Sequence, residues 1–220
     1  IVLDQGHLAA LLEQLARQVP PHLAGPDDHL LLYFSGHGLK TDYGELYLAT
    51  TNTKLRKVTA TAVSSSFIRG EMTRSRSRRI ILLLDCCYGG AFNRGDLIAR
   101  ADDRVEVLER FEGRGRAVIT ASTAMQYAFE ADRDRRVGTG SPSVFTGALV
   151  RGLETGDADR DRDGRISVDE LYDYVFDKVR DKTPNQTPGK WITDVQGKLY
   201  IARVRPRELP DEPRRALQSR

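Results

Sequence analysis

Two short apolar runs that each end in chemistry constrain this chain more than anything else in it. Leu30-Leu-Leu-Tyr-Phe34 stops at Ser35-Gly-His-Gly38, and Ile80-Ile-Leu-Leu-Leu84 stops at Asp85-Cys-Cys-Tyr-Gly-Gly90. Five residues that are apolar on both alternating faces predict a strand covered on both sides, the environment of a parallel sheet between helices. Such sheets bind ligands at the carboxyl ends of their strands. Both cysteines of the chain stand at the end of the second run, so that end is where chemistry is sought.

The remaining pattern alternates in the same sense. His7 to Val19 spaces Leu8, Leu11, Leu12, Leu15 and Val19 as a helix, which Pro20-Pro21 ends. Glu45 to Thr50 predicts a short hairpin strand, Ser64 to Thr73 a modest helix, and Arg116 to Ser122 a third apolar strand. Ser143 to Leu153 predicts a helix with Ser143 as its N-cap. Ser167-Val-Asp-Glu170 is a capping box opening a helix that reaches Lys182. Pro184 and Pro188 break the chain after it, and Lys198 to Arg203 predicts a last strand. Phe92–Gly115 and Ala131–Pro142 are charged and aperiodic and read as loops, the first of them mobile. Strands alternating with helices make residues 1–204 an α/β domain, a mainly parallel central sheet with helices on both faces. Residues 205–220, with prolines among many charges, read as a tail or linker. The start at Ile1 without methionine suggests a piece of a longer, multidomain chain.

Composition removes some classes of function. Lysine and arginine number 34 against 31 acids, a net charge of +3, and no basic face with interleaved aromatics supports nucleic-acid binding. No run approaches the roughly 18 consecutive apolar residues of a membrane span. Adjacent cysteines cannot join distant segments, which excludes a disulfide scaffold and suits a reducing, cytoplasmic location.

His37, flanked by Gly36 and Gly38, ends a core strand where backbone can approach a ligand closely. Cys86 and Cys87 point to opposite faces if both are extended, so one packs in the core and the other can face a cleft. A cysteine and a histidine brought together by neighbouring parallel strands make an activated nucleophile: the imidazole takes the thiol proton and the thiolate attacks.

The two signatures, Ser35-Gly-His-Gly38 and Asp85-Cys-Cys-Tyr-Gly-Gly90, together resemble those of the caspase-like cysteine peptidases, and their fifty-residue separation from His37 to Cys87 is close to the caspase spacing. The second is similar to the Asp-x-Cys-x-x-Gly form of metacaspases and bacterial caspase homologues. The resemblance covers about residues 25 to 203 and implies a caspase-like sandwich. It implies Cys87 as nucleophile, with Cys86 at a variable position, and His37 as general base and then acid. It also implies an oxyanion hole from the backbone N–H groups of Gly38 and Cys87, and a first core strand upstream of anything in this sequence, so that the numbering starts late or a strand is missing. Asp85, two residues before the nucleophile, favours a cationic P1 side chain, and Gln126-Tyr-Ala-Phe-Glu130 resembles the metacaspase stretch that supplies a second acid, Glu130, to the S1 pocket. The expected activity is endopeptidase cleavage after Arg or Lys. Self-processing is expected within 92–116, at Arg94, Arg100, Arg104, Arg110 or Arg114. The metacaspase-like motif favours a monomer acting on a protein or peptide.

A second motif, Asp159-Arg-Asp-Arg-Asp-Gly-Arg-Ile-Ser-Val-Asp-Glu170, matches the twelve-residue calcium loop. Asp159, Asp161 and Asp163 fill positions one, three and five, Arg165 offers its carbonyl, and Glu170 is the twelfth ligand. Arg160, Arg162 and Arg165 neutralise the acids and should weaken Ca2+, and Gly156 interrupts the preceding helix. The expected role is stabilising. A zinc hydrolase fails on ligand number. The competing class is a catalytically inactive caspase-like module that binds partners or calcium, for which an intact His37/Cys87 pair has no use.

Overall fold

The computed structural model describes residues 2–3, 25–41, 45–88, 115–122 and 143–204, of which 2–3 and 87–88 as backbone alone. The helix expected at His7–Val19, the loops at Phe92–Gly115 and Ala131–Pro142, Glu130 and the tail lie outside the described residues.

The two apolar runs form adjacent parallel strands at the centre of one sheet. β1 is Val2–Leu3, β2 His29–Lys40, β3 Leu46–Leu48, β4 Val63–Ser64, β5 Arg79–Tyr88, β6 Arg116–Thr120, β7 Arg165–Ser167, β8 Gly189–Thr193 and β9 Tyr200–Arg203. The helices are α1 Val58–Thr61, α2 Ser65–Arg74, α3 Val144–Thr155 and α4 Val168–Lys182. The main sheet has seven strands in the order β4-β3-β2-β5-β6-β8, with β1 also on β2. The pairs β1–β2, β2–β5 and β5–β6 are parallel, whereas β2–β3, β3–β4 and β6–β8 are antiparallel.

Strand alternation divides the core in two. Ile80, Leu82, Leu84 and Cys86 of β5 pack with Phe34, Leu46, Leu48 and α2 residues Ile68 and Met72 on one face. Ile81 and Leu83 pack with β6, Phe145 and Leu149 of α3, and Leu171, Val175 and Val179 of α4 on the other. Both faces of β5 are therefore dry, as its unbroken aliphatic sequence requires.

Several boundaries differ from those read in the sequence, for tertiary reasons. β2 does not stop at Ser35 but continues through His37 to Lys40, and β5 continues through both cysteines to Tyr88. Each is held extended past its apolar run by the other, from His29↔Arg79 to Gly38↔Tyr88, and β3 adds a second partner at Gly38–Lys40. Beyond the two prolines, Gly189–Thr193 forms an antiparallel strand on β6, with Trp191 and Ile192 exposed. Its sequence has no clean period of two, so only the available edge of β6 reveals it. The strand expected at Lys198–Arg203 exists as β9, but it leaves the main sheet and pairs with β7 in a separate two-stranded ribbon. A strand upstream of β2 is present in the sequence after all: the stub β1 pairs in parallel with Tyr33 and Phe34.

The capping expectations agree with the structure. Ser143 Oγ accepts from Thr146 N at 3.0 Å. Ser167 and Glu170 form the reciprocal capping box of α4, Glu170 N donating to Ser167 Oγ at 3.2 Å and Ser167 N to Glu170 Oε2 at 2.9 Å. Gly156 ends α3 with φ +76°, a left-handed conformation suited to glycine.

Candidate active site

The register of β2 against β5 sets the site. Tyr33 lies opposite Leu83, Ser35 opposite Asp85, and His37 opposite Cys87. Directly paired residues of neighbouring strands stand about 5 Å apart, so the strands carry His37 and Cys87 to adjacent backbone positions near their carboxyl ends. The His37 carbonyl accepts from Ala49 N at 2.9 Å, which anchors the histidine's backbone from the β3 side. Gly38, expected to contribute to an oxyanion hole, lies between Leu48 and Tyr88. Cys86 is 1% exposed and belongs to the apolar cluster on the α2 face.

Asp85 holds a polar cluster under the N-terminus of α3. It is 7% exposed, and its Oδ2 accepts hydrogen bonds from the hydroxyls of Ser143 and Thr146, with Ser35 Oγ donating more weakly at 3.4 Å. The Tyr33 hydroxyl reaches Thr146 Oγ1 at 2.5 Å. Burial raises the Tyr33 pKa, its side-chain hydrogen bonds with Thr146 and Ser35 oppose this, and the Asp85 charge adds to the rise. A carboxylate at the positive end of a helix dipole, fed by hydroxyl donors, is held by charge-assisted bonds. All three donors go to Oδ2, and Oδ1 receives none among the described residues. Ser143 was recognisable from sequence as a cap, but its second bond across to Asp85, and the roles of Tyr33 and Thr146, depend on α3 packing over β5.

The acidic loop closes on itself between α3 and α4. Asp159, Asp161 and Glu170 place carboxylate oxygens within 4.8 Å of one another. Gly164 turns the loop at φ +82°, and its N–H donates to Asp159 Oδ2 at 3.0 Å. Glu170 Oε1 accepts from the N–H groups of Arg160 and Asp161 at 3.1 and 3.2 Å. Asp163 directs its carboxylate elsewhere, to Arg165 N at 2.8 Å and the Tyr200 hydroxyl at 3.3 Å. Lys198 Nζ donates to Asp161 Oδ2 at 2.7 Å. That bond holds the Asp161 carboxyl below its ordinary value, helped by the Asp163 N–H. For Glu170 burial pushes upward, and the Ser167 side chain and backbone N–H outweigh it, so its pKa is also lowered. Arg165, the expected carbonyl donor, begins β7 with its guanidinium 5.2 Å from the Tyr200 ring centroid. Three convergent carboxylates on a glycine-turned loop fit a hard divalent cation, which takes oxygen ligands.

A mainly parallel sheet covered on both faces, with histidine and cysteine at paired positions of its two central strands, defines a caspase-like α/β fold. The chain belongs to the caspase domain family of peptidases, whose family model matches residues 3–200. Among solved structures it is similar to protein GSU0716 from Geobacter sulfurreducens, with 13% identity over 86% of this chain and 74% of that one and a TM-score of 0.51. That likeness concerns the fold. No curated protein matches the sequence. No helix among the described residues is long and apolar enough to cross a membrane.

Proposed function

We propose that the chain is a cysteine endopeptidase that cleaves after arginine or lysine, with Cys87 as nucleophile and His37 as its base. The observation that carries this reading is the parallel pairing of His37 with Cys87, two positions beyond Asp85 on the same strand. In the proposed reaction His37 takes the Cys87 thiol proton and the thiolate adds to the scissile carbonyl. Backbone N–H groups of Gly38 and Cys87 hold the oxyanion, and His37 returns the proton to the departing amine. Water, deprotonated by the same imidazole, then releases the acyl group. Asp85 offers Oδ1 to a cationic P1 side chain while Oδ2 is occupied by its hydroxyl donors, with Glu130 as the second acid of the pocket. The substrate is a protein or peptide, the acting unit a monomer, and self-cleavage within 92–116 accompanies activity. Calcium held by Asp159, Asp161 and Glu170 stabilises the α3–α4 unit, and Asp163 and the Arg165 carbonyl complete the ligand set when Asp163 turns from Arg165 N and the Tyr200 hydroxyl to the ion.

Fluorogenic peptides differing only at P1 test this reading. Turnover with Arg and Lys, and none with Asp, is the expected result. Absence of turnover with every peptide, with and without calcium, would favour the inactive binding module instead.

A further inference from the structure

A cleft of about 460 Å³ lies between the amino ends of β2 and β5 and the β7–β9 ribbon, lined by His29, Arg79, Arg165, Tyr200, Arg203 and the backbone around Ile201. Two basic pairs face it. His29 and Arg79 are register partners in the parallel β2–β5 pair, and Arg165 and Arg203 are directly opposed in the antiparallel β7–β9 pair. Arg165 and Arg203 carry like charge, and like charges directly opposite each other on neighbouring strands destabilise a sheet unless something neutralises them.

Within the described residues nothing does. The ion pairs there join Arg74, Arg160, Lys190 and Lys198 to carboxylates, and none involves Arg79, Arg165 or Arg203. Arg79 Nη1 instead donates to His29 Nε2 at 3.2 Å, and Arg165 lies over the Tyr200 ring. The Tyr200 hydroxyl donates to Asp163 Oδ2, so the ring is fixed as a platform, and that carboxylate also accepts from Arg165 N. Guanidinium groups are forks matched to phosphate oxygens, and three of them converge on a cavity of a size typical for small ligands.

We infer that this cleft is a binding site for a phosphate-bearing small molecule, with Arg79, Arg165 and Arg203 as its anion ligands and His29 orienting Arg79. The site is separate from the proposed catalytic one. His29 and Arg79 begin the strands that carry His37 and Cys87 eight residues later, which puts roughly 26 Å between the two ends. The inference does not depend on the protein being a peptidase.

Isothermal titration of the whole chain with sodium pyrophosphate and with ADP, at fixed ionic strength, tests it and separates a bare phosphate group from a nucleotide. Saturable binding of either probe is expected. Arg79→Gln alone, and Arg165→Gln with Arg203→Gln, should each weaken it at least tenfold, whereas Arg151→Gln, an exposed arginine on α3, should leave it unchanged. The variants lie on different strands, so misfolding of one, seen as loss of a cooperative melt, leaves the other to decide. No saturable binding of pyrophosphate or ADP overturns the inference. So does equal weakening by Arg151→Gln, which would mean attraction to overall charge.

Discussion

Cys86 and Cys87 are adjacent and chemically identical, and the backbone makes them different. β5 stays extended to Tyr88, so Cys86 follows Leu82 and Leu84 into the α2-side cluster, where it is 1% exposed. Cys86→Ala should therefore cost about 1 kcal/mol of stability through the small cavity it leaves and preserve turnover, measured by thermal melts beside peptide assays. His37→Ala should lower kcat by about 10²–10⁴-fold, the usual contribution of a positioned base. Asp85→Asn retains an oxygen acceptor for Ser143 and Thr146 but removes the charge. Its kcat/KM for Arg peptides should drop about a hundredfold, near 2.7 kcal/mol, with a smaller change for a neutral P1 side chain. An equal loss for all P1 residues would assign Asp85 to holding α3 rather than to reading substrate.

At the scale of elements, α3 links the polar cluster to the acidic loop: its first turn binds Asp85, and its last turn leads into Asp159. It packs tightly on α4 at Gly152, where an added Cβ would come within 2.8 Å of Tyr174 Cδ1 and 3.2 Å of Ala158 Cβ. Gly152→Ala should then destabilise the protein by about 1–3 kcal/mol, a loss of some 2–12 °C in Tm for a domain of this size. Calcium should raise Tm in the wild type and have no effect in Glu170→Gln. The acid dependence follows from the lowered carboxyls of Asp161 and Glu170. Because their folded pKa values lie below the unfolded ones, their stabilisation is full above about pH 4.5, the range in which unfolded carboxyls ionise. It is lost as the pH falls through the folded values, and Lys198→Met should flatten the part due to Asp161.

The central strands, α3, α4 and their caps were legible in the sequence because local signals coincide there with the tertiary demand. Apolar runs met a doubly covered sheet, and Ser143 and Ser167 capped the helices their spacing announced. β8 and the β7–β9 pairing were not legible, since short strands in polar segments are decided by which edge is free. The continuation of β2 through Ser35-Gly-His-Gly38 was hidden for the same reason: two glycines read locally as a stop, and only β5 and β3 on either side hold them extended.

On the scale of the whole molecule, β2 and β5 place a proposed nucleophilic dyad at their carboxyl ends and a cationic cleft at their amino ends. The caspase domain match establishes the family, and the proposed activity rests on the pairing of His37 with Cys87. The most direct measurement is covalent labelling with a peptidyl acyloxymethyl ketone carrying Arg at P1, with the modified residue located by tandem mass spectrometry. The label should be found on Cys87, at one equivalent per chain, and should disappear in His37→Ala while persisting in Cys86→Ala. Label on Cys86, or no label on a protein that melts cooperatively, would contradict the account.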